Sequence, residues 1–228
     1  MRACYIFLRK RLWQNYIFRK LQREDFTIIS DDCWGAEIYR KLGLQYQTPC
    51  VGLMIKAPCY INFVERFEEK IAEPLHFIKQ SKYPEVGHVS YPIGALGDDV
   101  EIHFYHYTSE AEAIRKWKRR VARVNRDHLI FKIDAQKTRN EFPEEAEMLL
   151  SRFKSFSATR RLIIDQCHCD NEENLLAVKY WGMDGRLMFK KSLRFFDLAH
   201  WLNTGTLKNS LKNIFVYYLL IAPRVKKG

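Results

Sequence analysis

Apolar positions along this chain follow two rhythms. Short runs rich in Ile, Val, Leu and Phe alternate with longer stretches in which apolar residues return every three or four positions. Residues 26–30, 51–55, 129–133 and 161–165 read as buried strands, and 100–106 alternates as a half-buried strand does. Between them the period is helical. A helix with a basic face is expected over 3–23, and a short one over 36–42 that stops at Gly43. A longer one is expected over 60–79, with Phe63, Phe67, Ile71 and Leu75 four apart and Pro74 breaking it near its end. Thr108 or Ser109 can cap the next, which runs to about Val124, and Pro143 opens another that reaches Phe153. Strand following helix in this way predicts an α/β fold with a largely parallel central sheet and helices on both faces. After Asp165 the rhythm changes, and late strands or a hairpin are expected at 175–181 and 187–189, then a helix near 195–202. With no internal repeat and no linker, the expected organisation is an N-terminal basic amphipathic helix over 1–25 packed on a single α/β domain over 26–228.

Composition narrows this picture. At 228 residues and 47% apolar content the chain can bury a substantial core. The formal charge of +11 favours anionic partners: small anionic molecules, acidic glycans or an anionic membrane face. No zinc-finger, RRM or KH signature accompanies the charge, so nucleic acid is a poor candidate. Six cysteines without disulfide-scaffold spacing suit free thiols in a reducing compartment. The N-terminus makes a poor signal peptide, and the apolar run 214–222 is too short to span a bilayer. A cytoplasmic protein is expected, with peripheral contact to the inner face of the membrane as a further option. Nothing in the residues names a cofactor or an oligomeric state.

Chemistry concentrates in the turn Ser30-Asp31-Asp32-Cys33-Trp34-Gly35, where a strand hands over to a helix at the edge at which open α/β sheets bind ligands. Backbone N–H groups and the helix dipole there should favour a Cys33 thiolate, and Asp31 and Asp32 can cap the helix, orient a base or bind a metal. Alternation on the 100–106 strand puts Glu101, His103 and Tyr105 on one side and His106 on the other, so either histidine could serve Cys33 as general base. Lys116, Arg120 and Arg123 recur near helical spacing and could clamp an anion, or simply face water. The acidic knot at Asp98-Asp99 and the Cys167-His168-Cys169 tract are weak metal candidates, and no metal site is expected.

These residues also carry a resemblance. Residues 28–35, Ile38-Tyr39, Leu42-Gly-Leu44, Thr48-Pro49 and Val51-Gly-Leu53, then Tyr91-Pro-Ile-Gly94, Glu101–His106, Lys116-Trp117, Arg119-Arg120 and Arg123-Val-Asn125, resemble an uncharacterised bacterial family, a domain of unknown function described as exopolysaccharide-biosynthesis proteins. The likeness extends from about residue 26 to 165. In that family the turn carries asparagines and two glycines around Cys-Trp; here Asp31-Asp32 and Gly35-Ala36 stand there, replacing amide donors by carboxylate acceptors. The Cys turn and basic helix are similar, more distantly, to bacterial papain-like cysteine peptidases. The resemblance implies an enzyme of exopolysaccharide or capsule biosynthesis, an acyl or glycosyl transferase. Cys33 would be its nucleophile or a substrate contact, and Asp31, Asp32, Trp34, Gly35, Glu101, Lys116, Arg120 and Arg123 would line its site. The competing expectation is a non-catalytic module that binds an acidic glycan or a membrane-associated synthesis complex.

Overall fold

The computed structural model describes residues 2–158, 160–166, 174–178 and 184–222. In chain order its first elements are α1 (Arg2–Phe18), β1 (Thr27–Ser30), α2 (Trp34–Leu42), α3 (Ala57–Glu65), α4 (Phe67–Ala72), β2 (His76–Ile78), β3 (Ile93–Leu96) and β4 (Val100–His103). There follow α5 (Glu110–Val121), β5 (Leu129–Asp134), α6 (Ala135–Glu141), α7 (Ala146–Ser155), β6 (Arg161–Asp165) and β7 (Leu175–Ala177). The last are α8 (Gly185–Ser192), α9 (Leu198–Thr204) and α10 (Leu211–Val216), which runs on as π-helical turns over Tyr217–Ile221.

Four strands pair in the order β1-β5-β6-β7, all parallel, and β2-β3-β4 form a separate antiparallel sheet. Side chains alternate across the parallel sheet. Ile29, Phe131, Ile133 and Ile163 face a core shared with α3, α4, α5, α7 and the antiparallel sheet. Ile28, Ile130, Leu162, Ile164 and Leu176 face a second core, filled by α1, α2, α8 and α9. Burial on both faces explains why these strands read as mostly apolar runs, and it is the α/β architecture the pattern predicts. Only the second half of α1 is anchored in this core, through Trp13 and Ile17.

Several boundaries differ from expectation. The run 51–55 buries Val51, Leu53 and Ile55 but joins no sheet beyond one bridge, Met54 to His103, because Gly52 sits at a φ of 69° and breaks the pleat. The expected 60–79 helix is divided: Arg66 leaves helical geometry at φ −119°, and Pro74 releases the chain into β2. The turn-rich 91–97 segment contains β3. Residues 187–189 lie in α8 rather than in a hairpin, since Asp184 accepts the Arg186 N–H at 2.8 Å and starts a helix. Of the strand expected at 175–181, β7 forms at the edge of the parallel sheet, and 179–181 lie outside the described residues. The Cys167-His168-Cys169 tract lies outside the described residues.

Candidate functional site

β1, β5 and β6 all end on the same edge of the sheet, and each ends in carboxylates: Asp31 and Asp32 after β1, Asp134 in β5, Asp165 in β6. Burying so many acids requires a cation. Lys132, wholly buried, places Nζ 3.0 Å from Oδ1 of Asp31 and 3.0 Å from Oδ1 of Asp32. Burial works against its charge, but the three nearby carboxylates outweigh that and hold the ammonium above its ordinary pKa. Asp32 also accepts from Ser30 Oγ at 3.0 Å and from the Trp34 N–H at 2.8 Å. Burial would raise it, yet Lys132, Lys137 and these donors leave it below the usual carboxylate range. Burial does raise Asp31, and lifts Asp134 to about 6 against the pull of Lys132.

The residues next to this cluster are structural in a specific sense. Trp34 is fully buried among Phe189, Phe196 and Trp201 and donates its indole N–H to Ser192 Oγ at 3.2 Å. Gly35 lets α2 approach β1 closely: a Cβ there would lie 2.9 Å from Ile28 Cγ2. Neither is open to a substrate. Cys33 is half-buried at the start of α2, its Sγ 4.0 Å from the Leu53 carbonyl. Burial first, and then the Asp32 carboxylate, push its thiol up to about 11. The turn therefore does the opposite of what its helix dipole promised, because a neighbouring charge and lost solvation exceed a dipole contribution of at most about 2 kcal/mol.

The irregular 51–55 segment collects the remaining candidates. Ile55 N–H donates to the Asp31 carbonyl at 3.0 Å, Met54 and His103 exchange backbone bonds at 2.9 Å, and His106 N–H donates to Gly52 O at 3.0 Å. His106 falls beyond β4, packed over Gly52, where a Cβ would lie 3.1 Å from the His106 Cβ. Arg120 is buried, bonded to the Tyr107 hydroxyl and, at 3.3 Å, to the Val51 carbonyl, so it anchors this segment and is not an exposed anion clamp. Lys116 pairs with Glu112 at 2.5 Å, one turn away on α5, and Arg123 lies just past the end of α5. The basic helix does not bring these three together on one open face.

His103 and Glu101 do share a face of β4, as alternation requires. Both are buried, and His103 Nε2 lies 2.8 Å from Glu101 Oε1, within ion-pair distance once the ring is protonated. Glu101 is fixed from behind by Ser81 Oγ at 2.5 Å and the Lys82 N–H at 2.8 Å. On the other side of the ring, Nδ1 stands 3.4 Å from the Tyr91 hydroxyl. The partners assign the tautomer: a proton on Nε2 facing the carboxylate, and Nδ1 free to accept from Tyr91. Burial holds the imidazole pKa below its usual value, against the pull of Glu101, with Lys56 and Lys137 adding to the depression.

Tyr91 lines a cavity of about 490 Å³ together with Met54, Lys56, Tyr105, Lys137 and Glu141. Lys56 is compensated by Glu85 at 3.0 Å and Glu141 at 3.4 Å. Lys137 makes no ion pair among the described residues, although it stands at the start of α6 just past β5 and its charge is felt at Asp31, Asp32 and His103. An open cation beside a buried acid–base pair is what an anionic ligand needs. Lys56, Lys132, Asp134 and Lys137 carry no motif, and Tyr91 opens the Tyr91-Pro-Ile-Gly94 segment of the family resemblance, to which no role attached. A signal for Lys132 was present, a lysine inside the apolar run 129–133, where an exposed charge has no place. The acidic knot resolves into structure as well: Asp99 is held by Lys70 at 2.8 Å and by Arg66. Among the described residues no group of His, Cys, Asp and Glu is arranged to hold a metal ion.

The chain belongs to the family described as a domain of unknown function (DUF1919), whose model matches residues 6–203. It is similar to a Haemophilus influenzae protein described as an uncharacterized protein, 36% identical over 111 residues, 49% of this chain and 50% of that one. The chain thus matches about half the length of this relative.

Proposed function

We propose that this protein is a transferase of bacterial cell-surface polysaccharide assembly, working in the reducing cytoplasm on an anionic activated donor, with the reaction centred on His103 rather than Cys33. The observation that carries this reading is the chain Glu101–His103–Tyr91, which runs from a fixed buried carboxylate to the wall of a cavity that also holds Lys137. The four cysteines among the described residues are free thiols, which suits a reducing compartment. The polysaccharide setting rests on the family resemblance.

In this reading an acceptor hydroxyl in the cavity gives its proton to the Tyr91 oxygen as the Tyr91 proton passes to His103 Nδ1, while the acceptor oxygen bonds to the donor's acyl or anomeric carbon and the bond from that carbon to the leaving group breaks, the leaving group keeping the electron pair. Glu101 stabilises the imidazolium so formed, and Lys137 neutralises the anionic group of the donor as it leaves. Acyl and glycosyl donors both fit this scheme. A thiol at about 11 holds almost no thiolate at neutral pH, so Cys33 contributes packing at the turn.

Nucleotide sugars and acyl-CoA, screened by thermal shift, supply the test. One of these classes should stabilise the wild-type chain, and Lys137→Ala should weaken its binding on the order of tenfold, the worth of one charged hydrogen bond. Stabilisation by none of them, or undiminished binding in Lys137→Ala, would remove this reading.

A further inference from the structure

A second region, remote in sequence from the cavity at Tyr91, has the chemistry of a lipid surface. The first half of α1 stands clear of the core: Phe7 is 64% and Leu8 53% exposed. α10 and its π-helical continuation, packed beside α1, expose Leu211 by 87% and Phe215 by 66%. Among the described residues, the exposed large hydrophobic side chains outside these two elements are Tyr105, Met148 and Leu187. Apolar surface is thus concentrated on one pair of helices, and a water-exposed patch of that kind is ordinarily covered by something.

The charges around the patch say what covers it. The sequence has no Asp or Glu before Glu24 and none after Asp197, so α1 and α10 carry cations alone. Beside them, a cavity of about 530 Å³ between α1, α8 and the π-helical turns is walled by Ile6, Trp13, Phe189 and Leu193 and rimmed by Arg9, Lys10, Lys41 and Lys190. Lys10, Lys41 and Lys190 have no carboxylate partner among the described residues. They crowd one another: burial, then Lys190, Arg40 and Lys10, lower the pKa of Lys41. Only Glu37, already paired with Arg40, opposes this charge at Lys41, and positive charge gathered in that way over an apolar hollow fits a phosphate attached to something greasy. No described helix is long and apolar enough to cross a membrane.

We infer that the face formed by α1, α10 and the start of the cavity at Lys10, Lys41 and Lys190 docks on an anionic phospholipid bilayer. Phe7, Leu8, Leu211 and Phe215 enter the interface, and a lipid phosphate sits among the lysines. Membrane docking is independent of the reaction proposed above and can hold or fail without it.

Co-sedimentation with vesicles tests it, using the full chain, pure phosphatidylcholine vesicles, and vesicles of phosphatidylcholine mixed with phosphatidylglycerol. Binding is expected to the mixed vesicles only, and to weaken with salt. The exposed double variant Phe7→Ser/Phe215→Ser, and separately Lys10→Glu/Lys190→Glu, should each bind on the order of tenfold more weakly, with the circular dichroism of the wild type. No binding to mixed vesicles, equal binding to both vesicle types, or unchanged binding in folded variants overturns the inference. So does a wild-type dimer in sedimentation velocity that Phe7→Ser/Phe215→Ser turns into monomer, since the face would then be covered by a second copy.

Discussion

The Cys33 turn and the His103 end of β4 lie on either side of the 51–55 segment, and both contain buried acids, yet they use burial differently. At the turn every charge closes on another inside the protein: Lys132 on Asp31 and Asp32, Asp32 also on Ser30 and the Trp34 N–H. Nothing is left to act on a ligand, and Cys33 is left with its proton. At His103 the chain of partners begins the same way, with Glu101 fixed by Ser81 and Lys82, but ends on Tyr91 at a cavity. A buried polar cluster gains chemical use where its last member faces open space. Where the cluster is complete, its role is to fix the fold.

That contrast can be broken by substitution, starting at the turn. Lys132→Met keeps the volume but strands two carboxylates, and should cost about 3–5 kcal/mol in urea unfolding. A loss under about 1 kcal/mol would show that the cluster is not the closed network described here. Titration sharpens the comparison at smaller scale. The folded state resists protonating His103, whose pKa is lowered, while the unfolded chain takes that proton near pH 6.5. Stability should therefore fall as pH drops from 7 through about 6.5, by at most about 1.4 kcal/mol per unit, and His103→Gln should flatten that slope. Asp134 has the opposite sign: raised to about 6, it binds its proton first in the folded state. Its contribution is present at low pH and lost as pH rises through about 6, so Asp134→Asn should steepen acid destabilisation between pH 6 and about 4. The smallest effect is expected at the thiol: iodoacetamide should modify Cys33 slowly at pH 7 and faster as pH approaches 11, and rapid neutral alkylation would contradict its buried, acid-flanked setting.

Local pattern carried the parallel strands well, because a strand buried on both faces writes its environment into consecutive residues such as Ile28-Ile29 and Ile163-Ile164. It carried Glu101 and His103 onto one face because side chains two apart on a strand share a side. It failed at 51–55, where four apolar residues around a glycine look like a strand until Gly52 takes a positive φ, and at 187–189, where a capping Asp184 starts a helix. The site partners were out of reach for a different reason. Lys132 meets Asp31 across 101 positions, and Lys56, Tyr91 and Lys137 come to one cavity from three separate elements, so no spacing in the chain records their meeting. Cysteine, tryptophan and glycine in a turn drew attention because each is chemically conspicuous. In the folded protein Trp34 and Gly35 serve close packing, and Cys33 sits beside them.

The central claim is that the reacting groups are at Tyr91 and His103 and not at Cys33. Its most direct test is turnover of whichever donor stabilises the wild-type chain, measured side by side in His103→Gln and Cys33→Ala. Removing the general base should lower kcat by a factor of about 10² or more, while Cys33→Ala should stay within about twofold of wild type. Loss of turnover in Cys33→Ala with His103→Gln near wild type would contradict the account.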